Sequence, residues 1–60
     1  MTVTPVTTQS GAIELELRTI GNHKINSVTL SDVEFETFQA IAHVSGPVEA
    51  FWVFKMEEAA

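Results

Sequence analysis

The sequence contains no cysteine, no tyrosine and only three basic side chains, and each shortage limits what the chain can be. Without cysteine it has no disulfides and no thiolate metal site, and His23 and His43 are not a close-spaced pair of ligands. A chain of 60 residues buries only about 60% of the surface that it exposes when unfolded, so it is marginally stable alone. We therefore expect no metal and no cofactor, and we expect a second protein chain to supply the missing stability.

The basic side chains are also unevenly placed. In the first half of the chain two glutamates balance Arg18 and Lys24, whereas six carboxylates in residues 31–60 face Lys55 alone, and the net charge is −5. An acidic surface of this kind is poorly suited to a phosphate backbone, although moderate net charge also keeps a small domain soluble. The charge therefore disfavours nucleic acid as the partner.

Long apolar runs are missing as well. At 45% hydrophobic and 18% charged residues, the composition is typical of a globular domain rather than a disordered chain. Neither a membrane span nor a signal peptide is predicted, because no apolar run is long enough and no basic segment precedes one. We expect a cytoplasmic protein without a membrane partner.

Alternation of apolar and polar residues predicts a β-hairpin. Residues 12–20, "AIELELRTI", and residues 24–30, "KINSVTL", both alternate, and Gly21-Asn22 between them suits a two-residue turn in which glycine supplies the positive φ. This turn puts the apolar residues of both strands on one face. The predicted partners are Ile20 with His23, Arg18 with Ile25, Leu17 with Asn26, Glu16 with Ser27, Leu15 with Val28, Glu14 with Thr29 and Ile13 with Leu30.

The first ten residues, "MTVTPVTTQS", carry no charge and are rich in threonine. They are typical of a frayed terminus or a loose edge strand, and Pro5 argues against a central strand. We expect a flexible N-terminus at residues 1–10 and a single small β-β-α-α domain at residues 11–60.

A capped helix follows the hairpin. Ser31 begins the motif "SDVE", a capping box in which Ser31 and Glu34 exchange hydrogen bonds with each other's backbone, and Gly46-Pro47 ends the helix. The predicted core stripe consists of Phe35, Phe38, Ile41 and Ala42. The opposite, solvated face consists of Asp32, Glu36, Gln39 and His43.

Residues 47–60, "PVEAFWVFKMEEAA", are ambiguous between a helix and a C-terminal strand. Pro47 suits a first helical turn, and "KMEEAA" extends the run beyond usual strand length, so a helix is favoured. As a helix it has one apolar stripe of Val48, Trp52 and Met56 and another of Ala50, Phe51 and Phe54. The β-branched and aromatic content of "VEAFWVFKM" favours the alternative, a hairpin and one helix closed by a strand.

The stretch "SVTLSDVEFETFQAIAHVSG" resembles the ribbon-helix-helix repressors and antitoxins, over residues 25–56 in all. The shared pattern is a short alternating strand, a Ser- or Pro-led helix with acidic and apolar residues, and a glycine turn before a second helix. The resemblance implies an α+β fold in which two chains intertwine, their strands pair and their second helices share a core. It places Val28, Leu30, Phe51, Trp52 and Phe54 at the dimer interface.

The same resemblance implies DNA contacts from the outward side chains of the strand, here Ser27 and Thr29, with Lys24 and Arg18 as the nearby cations. Several features depart from the family. Ile25 is apolar where polar residues are usual, and "GPVE" at the second helix replaces an anion-binding start with a proline and a glutamate. In the predicted register Glu14 and Glu16 also lie on the face that would meet DNA.

No motif in the sequence predicts catalysis, since it has no glycine-rich phosphate loop, nucleophile elbow or metal-binding helix. Three large aromatics within residues 51–54 exceed what one small domain encloses, which predicts a protein interface. Two functions are therefore weighed. The favoured one is a non-enzymatic homodimeric regulator, such as an inhibitor, adaptor or phage-type antagonist, that binds a protein through Asp32, Glu36, Gln39 and His43. The alternative is a DNA-binding repressor or antitoxin of ribbon-helix-helix type.

Overall fold

Residues 1–59, the part of the chain that the computed structural model describes, form a three-stranded antiparallel sheet followed by two helices. The strands lie side by side in chain order, and the expected α+β class is confirmed. The elements are β1 (Thr2–Thr7), β2 (Ile13–Arg18), β3 (Lys24–Leu30), α1 (Asp32–Ser45) and α2 (Pro47–Ala59). The element order is therefore β-β-β-α-α rather than the predicted β-β-α-α.

Strand β1 is the added element. It pairs antiparallel with β2 along its whole length, from Thr2 opposite Arg18 to Thr7 opposite Ile13. The edge-strand alternative for the N-terminus is the one that the structure shows, and the prediction that placed residues 1–10 outside the domain is wrong. The physical reason is that β1 is an edge strand with mostly exposed side chains, so it carries little of the apolar alternation by which strands are recognised.

The predicted register of the β2–β3 hairpin is confirmed over most of its length. The pairing runs from Ile13 opposite Leu30 to Leu17 opposite Asn26, as the alternation required. The apolar side chains of both strands consequently share the sheet face that the helices cover.

The pairing departs from the prediction near the turn. A bulge in β3, in which Ile25 is the extra residue, sets Arg18 opposite Lys24 instead of Ile25. The predicted pair of Ile20 with His23 is replaced by the loop that joins the two strands. An extra residue in one strand of a pair shifts every partner beyond it, so the register changes from the bulge onward.

The loop also uses a different residue for its left-handed conformation. Asn22 has a φ of 64°, whereas Gly21 does not have a positive φ, so the prediction that glycine supplies it is wrong. Asparagine enters this region more readily than other side chains do. Arg18 holds the loop by donating from Nη1 to the Asn22 carbonyl at 3.0 Å.

Side chains of the same chain cap the backbone groups of Ser27 on the free edge of β3. The Ser27 N–H donates to Asn26 Oδ1 at 2.9 Å, and the Ser27 carbonyl accepts from Lys55 Nζ at 3.0 Å. The N–H and C=O of a strand residue point to the same side, so both outward groups of Ser27 already have partners. Capping of this kind hinders the addition of another strand.

The free edge of β1 is blocked by Pro5. The backbone N–H and C=O of Ser27 point away from the sheet, so those of the next residue, Val28, point toward its partner Leu15 on β2. The backbone groups of Leu15 therefore face β3 and not β1. Pro5 lies opposite Leu15 on the other side, so its nitrogen faces the free edge of β1. A proline there removes a donor that an incoming strand needs.

Helix α1 begins and ends as the sequence predicted. Ser31 Oγ accepts from the Glu34 N–H at 3.2 Å, and the Ser31 N–H donates to Glu34 Oε1 at 3.0 Å, which completes the capping box. At the other end Gly46, with a φ of 96°, donates its N–H to the Ala42 carbonyl at 2.9 Å. In the predicted core stripe Phe38 is buried, and Phe35, Ile41 and Ala42 are half-buried.

Residues 47–59 form the favoured helix, and the C-terminal strand alternative is wrong. Pro47 is its first residue, where its missing N–H leaves no helical hydrogen bond unmade. Of its two apolar stripes, the one with Ala50, Phe51 and Phe54 is buried. The other lies mostly in solvent, with Val48 half-buried and Trp52 and Met56 exposed.

The packing of the layers explains this division. Helix α2 lies across the sheet and contacts all three strands, and α1 packs beside α2 with a smaller contact to β3. The core joins both layers through Leu15, Leu17, Val28, Leu30, Phe38, Ala50, Phe51 and Phe54. Within residues 1–59, nothing covers the side of the helical layer that faces away from the sheet.

Candidate functional site

A groove of about 260 Å³ lies between α1 and α2 on the uncovered side of the helices. It is lined by Ile41, Ser45, Glu49, Trp52, Val53 and Met56. Trp52 is 40% exposed, Val53 47% and Met56 70%, so most of the accessible lining is apolar. Glu49 is the only charged residue among these six, and the groove is therefore suited to an apolar partner surface rather than to an ion.

The indole of Trp52 is seated against the core. Its ring centroid lies 5.3 Å from that of Phe51, and the two ring planes meet at 86°. Edge-to-face aromatic pairs of this kind are favourable, and Phe51 is itself fully buried. The indole is thus held before any partner arrives, which reduces the side-chain entropy lost on binding.

Helix α1 extends the apolar surface beyond the groove. Val33, Ala40 and Val44 have the spacing i, i+7 and i+11, which places them on one side of the helix. Val33 is 68% exposed and Val44 84% exposed. This side adjoins Ile41 in the groove wall, and we name the combined surface the outer helical face. It consists of Val33, Ala40, Ile41, Val44, Trp52, Val53 and Met56.

Sequence reasoning predicted only part of this face. The sequence predicts Trp52 as an interface residue, but it does not predict the exposed aliphatic side of α1. The sequence does contain a signal for this side of α1, because Val33 and Ala40 are seven residues apart. Both residues lie between the core stripe and the charged face of the helix.

Four of the five predicted interface residues are buried within their own chain. Phe51 is fully buried, and Val28, Leu30 and Phe54 are each less than a tenth exposed. Their packing partners are the sheet and the helices of the same chain. Of the predicted set, Trp52 alone keeps enough free surface to contact another molecule.

The residues predicted to bind a protein partner all lie on one side of α1. Asp32, Glu36, Gln39 and His43 are exposed, and their spacing of three or four residues aligns them along the helix. This acidic side of α1 borders the aliphatic side that contains Val33 and Val44, because Glu36 lies three residues after Val33.

The residues predicted to contact DNA lie with both glutamates on the open face of the sheet. Glu16 pairs with Ser27 and Glu14 with Thr29, as expected. Arg18 Nη2 lies 2.7 Å from Glu16 Oε1. Lys24 Nζ lies 3.8 Å from Glu14 Oε2 and 3.7 Å from Glu16 Oε2. The two cations nearest to this face are therefore both engaged by its carboxylates.

The arginine also changes the acidity of its partner. Hydrogen bonds from Arg18 hold the pKa of the Glu16 carboxyl below its ordinary value. Arg18 Nε and Nη2 donate to Glu16 Oε1 at 3.1 Å and 2.7 Å. Burial opposes this shift, and the positive charges of Arg18 and Lys24 add to it. Glu16 is thus held ionised, as an ion-pair partner rather than a proton donor.

A second cleft, of about 240 Å³, lies beside the free edge of β3. Lys55, the third basic side chain, contacts Glu58 at 3.3 Å in addition to the Ser27 carbonyl. The cleft is lined by Val28, Thr29, Leu30, Glu34, Phe54, Glu57 and Glu58. Its carboxylates surround an apolar floor, and Glu34 is already part of the helix cap.

Other kinds of site were also sought among residues 1–59. No three His, Asp or Glu side chains in this part of the chain converge to hold a metal ion. Neither α1 nor α2, as described, reaches the length and hydrophobicity of a membrane-crossing helix. No protein-family model, curated protein or solved structure matches the chain. The ribbon-helix-helix resemblance therefore stays a prediction.

Proposed function

We propose that this chain is a small non-enzymatic regulatory protein that acts as a homodimer through protein–protein contact, as an inhibitor, an adaptor or a phage-type antagonist. The observation that carries the proposal is the outer helical face. Soluble monomers rarely expose contiguous apolar patches beyond a few hundred Å², and larger ones mark interaction sites. A partly exposed tryptophan within such a patch is the residue type in which binding energy concentrates.

The charges support contact with protein rather than with nucleic acid. All three lysine and arginine side chains lie within ion-pair distance of a carboxylate of the same chain. Affinity for a duplex derives largely from cations that neutralise phosphates and release counterions. A chain with net charge −5 and internally paired cations has little to contribute to that process.

The acidic side of α1 is the surface that we assign to the regulated partner. Asp32 and Glu36 lie one turn apart there and are exposed, with Gln39 and His43 continuing the row. Exposed polar side chains without core contacts are free to contribute specificity and electrostatic steering toward a basic protein.

Affinity capture from an extract of the source organism tests the proposal, with the chain as bait and bound protein and DNA both quantified. We expect a protein partner to be retained by the native chain and lost by the double variant Asp32→Lys with Glu36→Lys. The matched control is Glu57→Lys with Glu58→Lys, which makes the same charge change on α2 and should keep the partner. Recovery of a specific duplex in place of protein would instead support the ribbon-helix-helix repressor or antitoxin.

A further inference from the structure

We propose that two copies of this chain meet through the outer helical face, with α1 and α2 of one copy packed against the same helices of the other. The inference rests on the proposed function, because it takes the chain to be a dimer. It places four helices between two three-stranded sheets and leaves the polar faces of both sheets outermost. A two-fold arrangement of this kind brings one patch against itself, as is usual in small homodimers.

The sheet edges do not offer an equivalent route. Pairing of two β3 strands would first have to displace Lys55 from the Ser27 carbonyl and Asn26 from the Ser27 N–H. Pairing through β1 would meet the missing donor of Pro5. Ser27 on β3 and Pro5 on β1 thus hinder pairing at the strand edges, whereas the outer helical face is open, which directs association to the helices.

The apolar area of the face matches what one partner contributes to a stable dimer. The exposed apolar area of the face is on the order of 400 Å² per chain. The largest contributions come from Val44, which is 84% exposed, Met56, which is 70% exposed, and Val33, which is 68% exposed. An interface of standard size buries about 800 Å² per partner, of which a little over half is apolar. The polar residues that border the face, such as Ser45 and Glu49, would supply the remainder.

The distribution of charge distinguishes a second copy from a basic foreign partner. The seven named residues of the outer helical face are uncharged, but Glu49 lines the groove beside Trp52 and Met56. One carboxylate of each copy would therefore lie within the contact. Repulsion between these carboxylates is screened by salt, and apolar burial is not weakened by it. Salt should therefore strengthen the self-association, whereas it would weaken an attraction that depends on opposite charges.

Sedimentation velocity and tryptophan fluorescence together test the arrangement in solution. Trp52 is the single tryptophan of a chain without tyrosine, so its emission reports on the groove alone. Between micromolar concentration and several hundred micromolar, we expect the mass to rise from one chain to two. Over the same range the emission should move to shorter wavelength, and added sodium chloride should lower the midpoint concentration.

Paired variants locate the contact. Met56→Asp and Val44→Lys introduce opposite charges into the face, and each should raise the dimer dissociation constant at least about tenfold, because a charge would be buried without a partner. Ile20→Asp and Ile20→Lys make the same changes at a loop residue that is 96% exposed and should have no effect. Thr29→Pro removes an outward-facing N–H from β3 and should also leave the dimer intact. Circular dichroism at the lowest concentration verifies that each variant is folded.

The outcomes separate this inference from the proposed function. A dimer that survives both Met56→Asp and Val44→Lys, or that Thr29→Pro dissociates, overturns the helical interface while the dimeric regulator stands. A native chain that remains monomeric at the highest concentration overturns the helical interface together with the dimer. The capture experiment with the Asp32 and Glu36 variant still tests the protein contact in that case.

Discussion

Two neighbouring aromatic residues show how one position along a helix separates core from surface. Phe51 is fully buried, whereas Trp52 is 40% exposed. Consecutive helical residues are about 100° apart around the axis, since the helix has 3.6 residues per turn. The sheet therefore covers Phe51 and leaves a large part of Trp52 uncovered. The first residue stabilises the single chain, and the second is available to a partner.

Alanine substitution should separate these two roles. Phe51→Ala should lower the free energy of unfolding by about 3–5 kcal/mol, because it leaves a cavity in the core, and that loss is a large part of the stability of a small domain. Trp52→Ala should cost no more than about half of that, since much of its side chain is already in solvent. Urea unfolding followed by circular dichroism at fixed low protein concentration measures both. Equal losses would contradict the placement of Trp52 at the surface.

The Glu16 carboxyl offers a second test at the residue scale. Its pKa is lowered in the folded chain, so its interactions stabilise the fold above the unfolded-state pKa, and that stabilisation is lost as the pH falls through the folded-state value. Arg18→Gln removes the principal cause, and we expect the Glu16 pKa to rise toward its ordinary value. An NMR pH titration of the Glu16 carboxyl carbon measures the change directly.

Lys24→Gln is the control for this titration. Lys24 makes a longer contact with Glu16 and is a lesser cause of the shift. The Lys24→Gln variant should therefore raise the pKa of Glu16 by less than the Arg18→Gln variant does. A larger effect from the lysine variant would show that the guanidinium hydrogen bonds are not the main cause.

At the scale of the element, α1 is the segment whose ends are most clearly encoded. The capping box at Ser31 and the left-handed Gly46 are both local arrangements, since each depends on residues within four positions along the chain. The two strand edges are different. The hydrogen bond to the Ser27 carbonyl on the edge of β3 comes from Lys55, which lies 28 positions away along the chain. The packing of α2 brings Lys55 to this edge.

The cap of α1 can be tested by a single substitution. Ser31→Ala removes the acceptor for the Glu34 N–H and should destabilise the chain by about 1 kcal/mol, which lowers the melting temperature by about 4–8 °C. Ser31→Asp keeps a side-chain oxygen at the same place and should remain within a few tenths of a kcal/mol of the native chain. Thermal melts at one low concentration compare them. An unchanged melting temperature for Ser31→Ala would mean that the cap contributes nothing.

At the scale of the whole molecule, the ion pairs of Arg18 and Lys24 and the exposed apolar surface lie on different sides. The open face of the sheet carries ion pairs between Arg18, Lys24 and the two glutamates of β2. The uncovered side of the helices carries the outer helical face and its groove. The core separates these two sides, which is why we assign self-association to the helices.

Duplex binding should accordingly be weak. We expect no saturable binding of the native chain to duplex DNA at physiological salt, measured by fluorescence anisotropy with labelled oligonucleotides. The double variant Glu14→Gln with Glu16→Gln would release Lys24 and Arg18 from their ion pairs. It should increase non-specific binding at low salt. It should also make that binding more dependent on salt, by the equivalent of up to about two neutralised phosphates per chain. Nanomolar binding of the native chain to one duplex over a scrambled sequence would overturn the protein-contact function and favour the repressor.

The sequence by itself determined the features that depend on near neighbours. Alternation in β2 and β3 predicted which residues of the hairpin share a face, and "SDVE" predicted the start of α1. The reason is that strand alternation, helix periodicity and capping are all properties of residues within one short segment. The two apolar stripes of α2 were predicted in the same way.

Only the tertiary structure decided which of those stripes became core. Both stripes of α2 are apolar, and the sheet buried Phe51 and Phe54 and left Trp52 and Met56 outside because one helix can face one sheet on one side. The edge strand β1 also depended on its pairing with β2 rather than on a local pattern. The outer helical face exists for the same physical reason, since none of the five elements described in residues 1–59 covers it.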